Sequence, residues 1–178
     1  MKVLNHKLVY AVFNISVLIL LACNSVFAQQ NKNNNQTNDS TLMMRRHMIH
    51  SRSSLVMPFN MNNVTHYFLD TKSGGILKIK AKNPEDTVQI KLIRDHLKKE
   101  HALFSKGNFA DPETLHGMNM PGLKILSSSK DKYKVAYKEL FDGAQLTFTS
   151  EDPKVIKALH IWFAAQLRDH GKDAKNKE

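Results

Sequence analysis

The sequence predicts an α+β fold, in which two hairpin-helix (ββα) repeats form a four-stranded, mainly antiparallel sheet with two helices on one face. Three observations carry this. Short apolar segments come in pairs around Gly-Gly or Asp-Gly. Each pair leads into Asn-Pro or Asp-Pro and then into apolar residues at helical spacing. The two blocks also superpose, "GILKIKAKNP" on "AQLTFTSEDP", and a three-residue gap then matches Ile90, Ile93 and Leu97 with Ile156, Leu159 and Phe163. One hairpin with one helix would leave too much apolar surface open, so each unit needs the other.

The first hairpin takes His66–Leu69 and Ile76–Lys80 as strands, with Gly74-Gly75 supplying positive φ for the turn. Asn83 is placed to cap a helix with Pro84 at its first position. That helix runs to Phe104 on an apolar face of Ile90, Ile93, Leu97 and Phe104, and Lys106-Gly107 ends it. The second hairpin takes Tyr133–Glu139 and Ala144–Ser150 around Asp142-Gly143. Asp152-Pro153 opens the second helix, whose predicted face is Ile156, Leu159, Phe163 and Leu167 and which Gly171 stops. Between the units, residues 105–132 form a long irregular link, with one helical turn at Asp111-Pro112-Glu113 and a reversal at Pro121-Gly122. Long connections on a compact scaffold carry function more often than the scaffold does.

Ahead of these units, Lys2, His6 and Lys7 precede an apolar run from Leu8 to Ala22, the plan of an export signal and too short for a stable membrane span. Two cuts fit. Cleavage after Ala28 makes residues 1–28 the signal; cleavage before Cys23 removes residues 1–22 and leaves Cys23 to be lipidated. The expected location is the periplasm, or the outer membrane through a lipid on Cys23. Cys23 is the single cysteine, so the folded domain has no disulfide, thiolate zinc site or cysteine nucleophile. Lys2 and Lys7 account for two of the ten net positive charges, which leaves +8 on the mature chain. Its lysines are scattered over predicted strands and helix exteriors, as a solvated surface requires, not gathered into a nucleic-acid stripe. Residues 29–42 are polar and low in complexity, a predicted disordered tether; residues 63–171 form the predicted domain and 172–178 a disordered tail.

Residues 43–62 hold Met43, Met44, Met48, Met57 and Met61 with His47 and His50. Met44-x-x-His47 and Met57-x3-Met61 suit a soft ion, which makes Met44, His47, His50, Met57 and Met61 a candidate secondary capture region for copper. Alternatively, a short helix lays Met44, Met48 and Leu55 on the core, with methionine as gap-filler. A second candidate centres on the first helix. His96 and Glu100 share a stripe beside its apolar face. Glu100 lies roughly 50° from the centre of that face, so it is partly buried and needs a partner. His116, in "HGMNMPG", returns about a dozen residues after the helix ends, and Met120 follows. The candidate metal site is therefore His96, Glu100, His116 and Met120, a mixed donor set suited to Cu or Zn. The competing reading makes His96 and Glu100 a hydrogen-bonded pair that pins the link, with His116 capping the turn at Gly117. His101 and His160 flank apolar faces, and His170 sits at a helix C-terminus, where the dipole favours a cation.

The runs "IRDHLKKEHALFSKGNFADPETLHGMNMPGL" and "FDGAQLTFTSEDPKVIKALHIWFAAQLRDHG" resemble a group of small exported bacterial proteins that carry a "GDFsDP…HG..MPGL" segment between two such units. The resemblance covers roughly residues 66–171, and its matching positions are His96, Glu100, Phe109, Asp111, His116, Met120, Pro121 and Gly122; Met118 falls at a variable one. Some members carry the name aspartate carbamoyltransferase. The residues here do not support that activity, since the chain has no Ser-Thr-Arg-Thr phosphate loop and no paired carbamoyl-phosphate and aspartate domains.

These readings point to an exported, periplasmic or envelope-attached binding protein for copper or another transition metal. A ligand-free envelope protein-interaction module is the alternative, and a hydrolase working through metal-bound water is a third class. The chain has no G-x-S-x-G, H-E-x-x-H or P-loop, and no catalytic residue is assigned. The expected partner is a transition-metal ion or an envelope protein, and not nucleic acid.

Overall fold

Alternating apolar residues make two hairpins, and each hairpin is followed by one long helix. The computed structural model describes residues 39–178. The chain falls into two units, Met1–Met44 and Arg45–Glu178. The predicted export signal, Cys23 and residues 29–38 of the predicted tether lie outside the described residues. Helix α1 covers residues 39–52, so the end of the predicted tether is helical, and residues 45–52 belong to the second unit. Strands β1 (Val64–Thr71) and β2 (Gly74–Ala81) form the first hairpin, and α2 (Thr87–Phe104) follows it. The link holds α3 (Ala110–His116) and α4 (Leu123–Ser128), more helix than the single turn predicted. Strands β3 (Tyr133–Leu140) and β4 (Gly143–Ser150) form the second hairpin, before α5 (Pro153–His170).

The sheet order is β3-β4-β2-β1-β5, where β5 is Ala174–Lys175. The first four strands are antiparallel, as predicted, and β5 runs parallel to β1. The predicted disordered tail is thus corrected: it turns at Gly171–Asp173 and pairs Ala174 with His66. The free edge of β1 offers unpaired backbone groups, which a short strand can satisfy. Glu178 then reaches Lys78 on the outer sheet face at 2.8 Å. In the middle of the sheet, Leu77 stands opposite Leu146, with Ile76 opposite Thr147 and Lys78 opposite Gln145.

On the inner face lie His66, Phe68, Leu77, Ile79, Leu146 and Phe148, all buried. The Phe148 ring meets Phe104 of α2 at 5.9 Å and Phe163 of α5 at 6.1 Å, so both helices cover this one face. Each such fully buried side chain contributes about 1.5–3 kcal/mol. Gly75 is required here, because a Cβ would sit 2.4 Å from Phe163.

Two helix details differ from the sequence reading. Helix α2 begins at Thr87, capped by Asp86, whose carboxylate accepts from the Gln89 N–H at 3.0 Å. Asn83 instead closes a tight turn by accepting from the Glu85 N–H, the other use of a short polar side chain. Helix α5 starts as predicted, with Asp152 as cap and Pro153 in its first turn. Its buried face is Val155, Leu159, Trp162, Phe163 and Gln166, while Ile156 and Leu167 are half-buried. The face is turned because the link also packs on α5, with Phe109 edge-on to Trp162 at 5.4 Å. Among the described residues no helix is long and apolar enough to cross a membrane.

Candidate metal centre

Helices α2 and α5 present the same three steps to a cavity between them and the sheet. From α2 come His96, Glu100 and Phe104; from α5 come Trp162, Gln166 and His170, each 66 residues further on. Strand β1 adds His66, the link adds Asp111 and His116, and Met57 closes part of the wall. The cavity holds about 40 Å³. A single water needs roughly 10–15 Å³ by this measure, so there is space for an ion and two or three further atoms.

One donor atom each from His96, Glu100 and Asp111 lies within 4.8 Å of the others. Bonds of about 2.0–2.2 Å to a common ion need such atoms no more than roughly 4.4 Å apart, a closure of a few tenths of an ångström. The first two share a stripe of α2, four residues apart. Asp111 is brought back by the turn after α2, where Gly107 takes φ +73° and the Asn108 side chain accepts from the Ala110 N–H at 2.9 Å. Lys99 donates to Asp111 Oδ2 at 2.6 Å.

The electrostatics follow from burial. Burial pushes the Glu100 carboxyl up to about 8, and its hydrogen bond with Asp111 and the charge of Asp111 add to this. Burial would raise Asp111 as well, but hydrogen bonds from Lys99 and Glu100 hold it below its ordinary value. Burial lowers His96 to about 4. The trio therefore presents a protonated acid, a carboxylate and a neutral imidazole, and an ion would take the place of the shared proton.

His116 lies on the same cavity but is not one of the trio. Its Nδ1–H donates to Asp169 at 3.0 Å. Asp169 also accepts from Arg45 at 2.6 and 2.8 Å and from Arg168 at 3.0 Å. Burial works to raise Asp169, yet these hydrogen bonds hold it well below the usual carboxylate range. Met120 does not line the cavity: it is 4 % exposed within the apolar core. Gly122 packs so closely on α5 that a Cβ would meet the Ala158 carbonyl at 2.4 Å, and this docking carries Met120 inward. The group that stands beside His96 and Glu100 is therefore the carboxylate of Asp111 and not the predicted thioether of Met120. The competing pair does not form either, since Glu100 bonds with Asp111 and His116 with Asp169.

The predicted capture region does not gather at one point. Met57 lines the cavity and Met61 is buried in the core. His47 and His50 flank a surface depression with Asp173, which His50 Nε2 meets at 3.2 Å. Met44, Met48 and Leu55 are 70 %, 49 % and 70 % exposed, so they are not core residues; Ile49 is the buried one. His101 and His160 are satisfied by backbone carbonyls, of Val135 and of Thr71 and Gly74. His170 is not a helix-end cation. Burial first, and then His66 and His116, put its pKa well below the ordinary histidine value.

Among the described residues, five buried polar side-chain atoms have no hydrogen-bond partner: both His66 nitrogens, Glu100 Oε1, Trp162 Nε1 and Gln166 Oε1. All four residues line the cavity. The sequence held signals for two of the missed residues, as Asp111 stands in the "GNFADP" run and His66 shares strand parity with Phe68. Compared with protein-family models, curated proteins and solved structures, the chain finds no match.

Proposed function

We propose that the chain is an exported binding protein for one divalent transition-metal ion, held by His96, Glu100 and Asp111. The observation that carries this is the convergence of their three donor atoms within 4.8 Å at a small buried cavity. One nitrogen and two oxygens suit Zn(II) or Cu(II) better than Cu(I), which prefers sulfur. The resemblance adds support, because all three residues are among its matching positions. A hydrolase fits poorly, since ordinary substrate pockets are about 300–1,000 Å³. The two ββα units are proposed to be copies of one another. The strands all have eight residues and recur at a spacing of 69, and the helices both have 18 residues at a spacing of 66.

The test is native mass spectrometry of the full chain with Zn(II), Cu(II) and Cu(I), beside Asp111→Asn and His116→Ala. One tight divalent equivalent, lost in D111N and kept in H116A, is the expected result. No stoichiometric divalent ion in the unaltered protein would refute the reading.

A further inference from the structure

The trio supplies three protein donors, whereas a closed zinc-type site has four, so an ion bound there keeps an open position. The same cavity continues past the trio to His66, Trp162 and Gln166, whose buried polar atoms have no partner. Such groups are costly to leave unmade, and their gathering around one space calls for a ligand that satisfies them. The donor types say what kind. Trp162 Nε1–H can only donate, and a neutral His66 always carries one N–H. Two unpartnered donors on the cavity that a bound cation would share fit an atom with lone pairs and negative charge. The 40 Å³ space limits that ligand to two or three heavy atoms once the ion is in place.

We propose that the ion held by His96, Glu100 and Asp111 takes a small anion as its remaining ligand, and that Trp162 and His66 hold that anion by hydrogen bonds. The ligand class is a compact, mono-anionic group of two or three heavy atoms, bound through the metal. Trp162 and His66 are positioning residues, since they would touch the anion and not the ion. The proposal rests on the metal reading above.

Sodium azide titrated into the Co(II)-loaded full chain is the experiment, read from the visible Co(II) bands. The expected result is a saturable one-site spectral change. Trp162→Phe and His66→Phe should each keep Co(II) affinity and weaken azide binding by about tenfold or more, the loss of one hydrogen bond at a buried site. Retained Co(II) affinity also shows that each variant is folded. An unchanged spectrum, or azide affinity in either variant no weaker than in the unaltered chain, overturns the proposal. So does loss of Co(II) itself in H66F, which would make His66 a fourth metal ligand. Failure of the unaltered chain to take up Co(II) is a different result, because it removes the metal centre as well.

Discussion

A histidine on the inner face of a strand must give up its charge. Burial, and after it the nearness of His96 and His116, lowers His66 to about 3. His170 faces it from α5, stacked at 4.8 Å, and is neutral for the same reason. In the unfolded chain these rings bind a proton near the ordinary value of about 6.5, so the unfolded state holds more protons below that pH. Stability is therefore full above about 6.5 and is lost as pH falls toward 3, by up to about 1.4 kcal/mol per pH unit for each such ring. Urea melts of the metal-free protein between pH 7 and 4 should show this slope less the opposing contribution of Glu100, whose raised carboxyl takes up a proton on folding over the same range, and His66→Phe should flatten it; an unchanged slope would count against a neutral His66. Two glycines of "HGMNMPG" differ in the same residue-level way. Gly117 has φ +96° with nothing within 4 Å of a Cβ, so Gly117→Ala should cost about 1–3 kcal/mol from backbone strain alone. Gly122, at φ +88°, would also drive its Cβ to 2.4 Å from the Ala158 carbonyl, and Gly122→Ala should be clearly the worse of the two in denaturant melts. The dense "HGMNMPG" run invited a reading in which His116 and Met120 act together, but one docking glycine sends Met120 to the core and leaves His116 on the cavity.

The helix starts separate local from tertiary information. Asp86→Ala should cost about 1 kcal/mol through the lost cap, while Pro84→Ala, outside the helix, should be nearly neutral in thermal melts. Equal effects would restore Pro84 to the first turn. Asn83-Pro84 reads as a helix start because an Asn side chain serves a turn and a cap equally well; only the next residues decide between them. Both hairpins were legible because strand alternation is local, whereas their turns differ from the expectation: the reversals are Lys72-Ser73 and Phe141-Asp142. Gly74-Gly75 and Gly143 instead begin β2 and β4, and of these three glycines Gly74 alone has positive φ. The face of α5, the buried state of His170 and the pairing of β5 were not, since each depends on what the link or the edge of β1 brings to it. Residues 45–52 are also held by tertiary partners, namely Arg45 on Asp169 and on the His116 carbonyl, and His50 on Asp173. Arg45→Ala should raise the rate of proteolytic cutting within residues 45–56 several-fold, with a smaller change in global melting, because these few contacts fasten a segment rather than the core.

For the molecule as a whole, an ion that binds only the folded chain adds its binding energy to folding. At a free concentration about 100-fold above its dissociation constant the gain is about 2.7 kcal/mol. Zn(II) should raise the melting temperature by several degrees, a chelator should reverse it, and Asp111→Asn should abolish the shift. The register at the middle of the sheet has a further consequence. With strand spacings of 69 residues, Leu77 stands opposite its own counterpart Leu146, and the flanking pairs exchange partners about that point, as a two-fold axis demands. On the proposed duplication, the domain is arranged like a homodimer whose subunits share one chain, and a true dimer of that kind would carry two equal half-sites. Asp111 belongs to the tie between the halves and exists once. Helix α5 also carries Trp162 and Gln166 where α2 carries His96 and Glu100, so the proposed site would exist once and hold a single ion.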